Sequence, residues 1–327
     1  MENKTRVAVI GVGHLGQHHA RVYSALPDTA LVGVVDIDRS RAEVIARRYN
    51  TQAYTDYNSL LGKVDAVSVV VPTVSHYEVV KDFLNWGIDV LVEKPFTQHL
   101  TEAEELRDLA ASRKLTLQVG HSERFNPAVK VFRQQITNPL YIEVHRLGPF
   151  GSRGLDVDVV LDLMIHDLDI ILDIVPSPIR HIHASGVPVL SRQVDIASTR
   201  LEFENGCVAN ITCSRVSAEG MRKMRVFQPA KYISLDYMNQ QVSTYNLVPE
   251  NNQDAAWRNF SLEKAQLDVA PQEPLREELE SFAQCVINRT RPLVSAEEGY
   301  RALKLALDIK ERINQKLELY FLNPGIL

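Results

Sequence analysis

The chain is short of the features that mark oxidised, membrane-bound or nucleic-acid-binding proteins. It has three cysteines, Cys207, Cys213 and Cys285, whose odd number and wide spacing give neither a disulfide framework nor a zinc pattern. Three buried thiols and no metal site are expected. No apolar run is long enough to cross a bilayer. The start, Met1-Glu2-Asn3-Lys4, leads straight into a strand-like segment without signal-peptide architecture. Lys and Arg total 36 against 41 Asp and Glu, and a net charge of -5 excludes the basic field that nucleic acid requires. A cytoplasmic protein with neither a nucleic-acid nor a membrane partner is expected. What remains is the composition of an ordinary globular protein, 45% hydrophobic and 24% charged, and 327 residues are enough for two domains.

The first part alternates apolar runs with helical stretches. Val7 to Ile10, Ala30 to Val35, Ala66 to Val71, Val90 to Val92 and Thr116 to Val119 read as strands buried on both faces. Leu15 to Leu26, Arg39 to Tyr49, His76 to Trp86 and Thr101 to Arg113 read as helices between them. This is the pattern of a doubly wound parallel sheet with right-handed crossovers.

Its first turn carries Gly11-Val12-Gly13-His14-Leu15-Gly16, a G-x-G-x-x-G sequence after a strand and before a helix, with Asp36 closing the second strand. That context makes it a dinucleotide fingerprint. Gly11 allows the tight turn, Gly13 a close backbone approach to a pyrophosphate, and Gly16 close helix–strand packing, while the helix N-terminus offers N–H groups to the phosphates. Asp36 suits ribose hydroxyls and repels a 2′-phosphate, so NAD is favoured over NADP, although Arg39 and Arg41 lie close by. Ligands sit beyond the carboxyl ends of parallel strands. Pro72, Thr73 and His76 follow one such end, and Glu93-Lys94-Pro95 closes another, where Lys94 can reach toward a nicotinamide. A lone loop lysine is ordinarily a solvated charge, and Lys94 stands out through its neighbours.

The sequence changes character after Gly120, which places a dinucleotide domain at 1–121 and a second, substrate-binding and oligomerisation domain at 122–327. A helix is expected near Ala128 to Gln135. Strands are expected at Tyr141 to Arg146, Ile196 to Glu204, Val208 to Ser214 and Tyr232 to Tyr237, with a hairpin at Asn205-Gly206. Asp162 and His166 are four residues apart, which on a helix puts both on one face. Alcohol oxidation needs a base for the hydroxyl proton, and an imidazole suits that role. His166 is therefore the candidate base, Asp162 its orienter or a substrate ligand, and Lys94 the group that binds the reacting oxygen. The opposite assignment, with Lys94 as the base, stays open. Asp167 and Asp169 read as structural groups or as groups that support the site residues from behind. Arg124 and Asn126, at the domain junction, and Arg153, which with Arg146 flanks a glycine-rich loop (148–154), are weaker substrate candidates. Arg222, Lys223 and Arg225 suit a substrate diphosphate, and a solvated surface cluster reads equally well.

The motifs taken together resemble the glucose-fructose oxidoreductase / inositol dehydrogenase / rhizopine-catabolism family. The resemblance rests on Gly11 to Ala20 with His19, Pro72 with His76, Glu93-Lys94-Pro95, Asp162-x-x-x-His166, and the tail segments Glu278 to Phe282 and Ser295 to Leu303. It implies a Rossmann domain followed by an α/β domain with a large open mixed sheet. It also implies hydride transfer between NAD and a sugar or polyol carbon in a homodimer or homotetramer. Within the family, Gly120 to Val129, Arg153 to Asp169 and Arg222-Lys223 resemble members acting on nucleotide-linked amino sugars in lipid A and surface-polysaccharide pathways. Oxidation of the C3 hydroxyl of a UDP-linked N-acetylhexosamine is the implied reaction. A free polyol (inositol-type) dehydrogenase, an NAD-using glycosidase and a non-catalytic dinucleotide-binding sensor are the alternatives. Intact Lys94, Asp162 and His166 speak against the sensor.

Overall fold

Six short strands, with most positions buried, build a parallel sheet, as the near-continuous Val, Ile and Ala runs require. A computed structural model describes residues 4–151, 157–249 and 260–322. Along the chain come β1 (Thr5–Ile10), α1 (Gly16–Ala25), β2 (Thr29–Val35), α2 (Arg39–Arg48), β3 (Gln52–Tyr54), β4 (Ala66–Val69), α3 (His76–Asn85), β5 (Asp89–Glu93), α4 (Leu100–Arg113) and β6 (Leu117–Gly120). Then follow α5 (Pro127–Gln134), β7 (Tyr141–Leu147), a π-helical turn (Val160–Met164), α6 (Ile165–Ile174), β8 (Ile179–Val187), β9 (Ile196–Phe203), β10 (Val208–Ser214), β11 (Met221–Gln228), β12 (Lys231–Asp236), β13 (Gln241–Pro249), β14 (Phe260–Leu267), α7 (Pro274–Asn288) and α8 (Ala296–Leu322). The doubly wound first sheet is as expected, in the order β3-β2-β1-β4-β5-β6. The three-residue β3 is an addition: Gln52–Tyr54 is too short and too exposed for an apolar run.

The chain divides into two units, residues 1–125 with 273–303 and residues 126–272 with 304–327. In the first, α7 completes the core. Leu279, Phe282 and Val286 pack with Val7, Val9 and Tyr23, all under 5% exposed. Full burial of a side chain such as Phe282 contributes about 1.5–3 kcal/mol. α8 comes so close to β6 that a Cβ on Gly299 would lie 2.4 Å from the Val119 side chain, a contact that only glycine admits.

The second unit carries one mixed sheet of eight strands, ordered β14-β13-β12-β11-β7-β10-β9-β8. Only β7 and β10 pair in parallel, and every other pairing is antiparallel. The expected hairpin joins β9 to β10, with Gly206 at a φ of 86°. Ile142, Val144, Ala209, Ile211, Met224, Val226, Ile233 and Leu235 form the buried face. The alternate positions stay partly exposed, among them a row of rings: Tyr141, Phe227, Tyr232 and Tyr245, with adjacent centroids 5.8, 5.3 and 4.1 Å apart. Strands β8, β11, β13 and β14 escape the sequence reading because their outward positions mix rings, aliphatics and charges, which hides the period of two.

Candidate active site

The glycine loop shows what a bound dinucleotide needs. Gly11 has a φ of 85°, and a Cβ there would lie 2.6 Å from the Val70 carbonyl oxygen. A Cβ on Gly16 would sit 1.8 Å from the Gly11 carbonyl, so no other residue fits where α1 meets the loop. At Gly13 the Cβ direction meets nothing within 4 Å, which leaves the loop open for a ligand. No side chain caps the N-terminus of α1, so its dipole end is available to phosphates. His14 and Leu15 lie exposed at this edge.

Asp36, buried at the end of β2, accepts the Val12 N–H at 3.0 Å and the Asp38 N–H at 3.0 Å, and Arg41 reaches it at 3.2 Å. Its carboxylate thus ties the glycine loop to the start of α2, with a further acceptor site for a ribose hydroxyl. Arg39 instead points to Glu43 with a largely exposed side chain. The residues present fit an adenine dinucleotide.

Two more strand ends converge through His76, whose buried ring is taken up by backbone carbonyls. Nε2 lies 2.9 Å from the Val71 oxygen, and Nδ1 lies 3.0 Å from the Pro95 and 3.3 Å from the Phe96 oxygens. Burial, opposed by these contacts, pulls its pKa below the usual imidazole value. His76 therefore holds the Pro72–Thr73 turn against the segment after Lys94, which follows a cis Lys94–Pro95 peptide. Lys94 is half-buried. Beside it the sequence reading missed His121: fully buried, with Lys94 and Arg124 as electrostatic neighbours, it is a neutral imidazole whose pKa is pushed down to about 3, chiefly by burial. Nothing in the spacing of His121 to Lys94 signals that proximity, because the pairing of β5 with β6 creates it.

In the second unit, Asp158 starts the segment that bears the other candidates. Its Oδ1 accepts the Val160 and Leu161 N–H groups, both at 3.0 Å, and its Oδ2 meets Lys310 of α8 at 2.9 Å. This is a capping role for a residue that the sequence reading passed over. Asp162 and His166 do not share one α-helix. Asp162 lies in the π-helical turn and His166 in the first turn of α6, both partly buried. Single π-helical turns recur at functional sites. The Asp167 carboxylate meets Arg146 at 2.6 and 2.9 Å, and both side chains are almost fully buried.

That pair engages Arg146 within its own unit. The basic cluster is split. Lys223 and Arg225 lie on the open sheet face against Asp236 at 3.5 Å and Glu143 at 2.8 Å, whereas Arg222 takes the alternate face, opposite Arg146 in the β11–β7 pairing. Asn126 caps α5 through Ala128 and donates to the Tyr237 carbonyl at 3.2 Å, and Arg124 is buried. Arg153 lies outside the described residues. All three cysteines are buried thiols. Among the described residues no group of His, Cys, Asp and Glu forms a metal cluster, and no helix is long and apolar enough to cross a membrane. A cavity of about 580 Å³ lined by Arg107, Lys114, Arg289 and Arg291 opens at the start of β6, the edge opposite to where parallel sheets bind ligands.

These features have close counterparts in known proteins. Residues 5–121 match the oxidoreductase family with an NAD-binding Rossmann fold, and residues 130–229 match the GFO/IDH/MocA C-terminal domain. The UDP-N-acetylglucosamine 3-dehydrogenase of Acidithiobacillus ferrooxidans is 35% identical over 96% of this chain and 98% of its own. Its solved structure superposes with a TM-score of 0.87 over 95% of this chain and 98% of that one. The NAD-dependent scyllo-inositol 2-dehydrogenase of Bacillus subtilis is 26% identical over 90% of both chains. A Lactobacillus casei scyllo-inositol dehydrogenase solved with NAD(H) and scyllo-inositol has the same fold, with a TM-score of 0.78 at 18% identity, over 96% of this chain and 98% of that one. The glycine loop with Asp36, the Glu93-Lys94-Pro95 strand end and the eight-stranded second sheet thus agree with similarity along nearly the whole length, and the chain belongs to the Gfo/Idh/MocA family of NAD-dependent oxidoreductases.

Proposed function

We propose that this enzyme oxidises the C3 hydroxyl of a UDP-linked N-acetylhexosamine. The observation that carries the reading is the 35% identity to a UDP-N-acetylglucosamine 3-dehydrogenase over 96% of the chain, against 26% for an inositol dehydrogenase. NAD, held by Gly11, Gly13, His14, Leu15, Gly16 and Asp36 and flanked by Pro72, Thr73, Glu93 and Lys94, supplies the hydride acceptor. As the C3–H bond breaks and the C3=O bond forms, His166 takes the hydroxyl proton. Asp162 orients that imidazole and stabilises it once protonated. Lys94 donates a hydrogen bond to the reacting oxygen and stabilises its alkoxide character.

A free polyol is the second reading. It is favoured by the engagement of Arg146, Lys223 and Arg225 with carboxylates of their own unit, which leaves a diphosphate fewer cations. NADH absorbance with NAD and UDP-N-acetylglucosamine, in parallel with free N-acetylglucosamine and myo-inositol and with a carbonyl trap present, separates the two. NADH from the UDP-sugar alone supports the proposal, and NADH from myo-inositol refutes it.

A second copy of the chain is the proposed partner, in a homodimer or homotetramer, with the cytoplasm as the compartment. The row Tyr141, Phe227, Tyr232 and Tyr245 on the open sheet face supports the former, and the three unpaired thiols support the latter.

A further inference from the structure

Behind Lys94 lies a buried polar group that the hydride-transfer scheme leaves unused. Glu93 turns its carboxylate back along the chain, where Oε2 accepts the Lys94 N–H at 3.2 Å and Oε1 meets His19 Nε2 of α1 at 3.1 Å. A carboxylate only accepts, so Nε2 carries the proton of that contact. The floor of the group is Gly120, where a Cβ would lie 3.0 Å from the Glu93 carboxyl. The far wall is Glu278 of α7, fully buried and an electrostatic neighbour of both Glu93 and Tyr23. Gln118 of β6 reaches the Glu278 main-chain oxygen at 3.4 Å, and the Tyr23 hydroxyl meets Ser68 at 2.8 Å. Among the described residues neither carboxyl oxygen of Glu278 has a hydrogen-bond partner. An ionised carboxylate buried this completely, with no donor among the described residues and a second carboxylate nearby, is costly, whereas its protonated form is tolerated.

We propose that Glu93 is a positioning residue for Lys94, and that Glu93 and Glu278 share a single proton, which resides on Glu278 so that the negative charge stays beside Lys94. The arrangement joins three separate parts of the first unit, α1, the end of β5 and α7. Burial first, and the Glu93 charge second, push the Glu278 carboxyl well above the usual carboxylate range. The retained Glu93 charge favours the Lys94 ammonium and fixes its backbone through the amide hydrogen bond. This inference rests on the assignment of Lys94 as a residue that touches the reacting oxygen.

The test compares wild type with Glu93→Gln, Glu278→Gln and Lys94→Ala, each as the full chain. A group protonated in the fold and ionised when unfolded makes stability fall as pH rises above the ordinary glutamate value of about 4.3. The wild-type melting temperature should therefore decline from pH 5 toward pH 8 more steeply than that of Glu278→Gln, which replaces a neutral acid by a neutral amide and should be the more stable at pH 8. In Glu93→Gln, with UDP-N-acetylglucosamine as substrate, kcat should fall about tenfold. The kcat/KM limb due to Lys94 should move to lower pH by roughly half a unit or more. Parallel melting curves in wild type and Glu278→Gln overturn the shared proton. An inactive Lys94→Ala beside an unmoved limb and normal turnover in Glu93→Gln overturns the role of Glu93 alone. A fully active Lys94→Ala overturns the assignment of Lys94 and the role of Glu93 with it.

Discussion

Arg41 lies across the Asp36 carboxylate, its Nη1 3.2 Å from one oxygen and 3.3 Å from the other, while the same carboxylate accepts the Val12 N–H of the glycine loop. One acid thus holds the loop and sets the charge where an adenosine 2′-substituent would lie. Asp36→Ala removes the acceptor for ribose hydroxyls and leaves Arg41 paired, of its two acids, with Asp38 alone, at 3.6 Å. The ratio of kcat/KM for NAD over NADP should fall by about tenfold or more, given ~1.5–3 kcal/mol for a lost hydrogen bond to a charged group. Steady-state kinetics with both cofactors checks it, and an unchanged ratio removes Asp36 from the cofactor site.

Lys94→Ala and His166→Asn should each lower kcat by roughly two to four orders of magnitude, the range for losing a general acid–base or oxyanion-stabilising group. NAD affinity, read by fluorescence titration, should change less than about threefold, since the glycine loop is untouched. Near-normal turnover in either variant refutes that residue's role. If His166→Asn alone retains an acid limb in its pH profile, Lys94 is the base.

The Arg146–Asp167 pair is almost fully buried, so replacing one partner strands a charge. Arg146→Met should destabilise by about 3–5 kcal/mol, which at ~2–4 °C per kcal/mol lowers the melting temperature by on the order of 10 °C. Arg146→Met combined with Asp167→Leu should recover much of the loss, because no charge is left uncompensated. A single variant as stable as wild type would show that Asp167 is solvated or protonated in the fold.

Burial alone would raise the Asp195 carboxyl, but hydrogen bonds from the Ser191 hydroxyl, the Val189 and Ser191 N–H groups and Arg215 outweigh it and hold it well below the usual carboxylate range. A carboxylate with a depressed pKa in the fold adds stability that is fully present above the unfolded value, about 3.9. That stability is lost as pH falls through the folded value. Acid unfolding of wild type should therefore steepen below about pH 4, and Asp195→Asn should be less stable at pH 7 while losing less on acidification. Identical slopes below pH 4 would contradict this.

The ring row on the open sheet face predicts self-association. Tyr232→Asp places a charge between Phe227 and Tyr245, where the centroids are 5.3 and 4.1 Å from Tyr232, and should shift the oligomer toward monomer in light scattering without changing the far-ultraviolet spectrum. A wild-type monomer at assay concentration would refute the partner reading.

Local chemistry made the first sheet and its glycine loop readable in the sequence. Doubly buried strands must be apolar throughout, and a loop whose Gly16 leaves no room for a Cβ must keep its glycine. Asp162 and His166 stood out through their spacing, Lys94 through its neighbours, and Asp36 through its place at a strand end. What only tertiary structure decided involves partners distant in sequence. α6 brings Asp167 against Arg146, 21 positions away in sequence, and β-pleating divides Arg222 from Lys223 and Arg225. The π-turn at Val160–Met164 leaves no trace in a pattern of apolar residues. The juxtaposition of His19, Glu93 and Glu278 spans 259 positions from first to last, 278 minus 19. A charge's worth depends on what surrounds it in space, and folding assembles those surroundings from segments whose order along the chain says nothing about their distance.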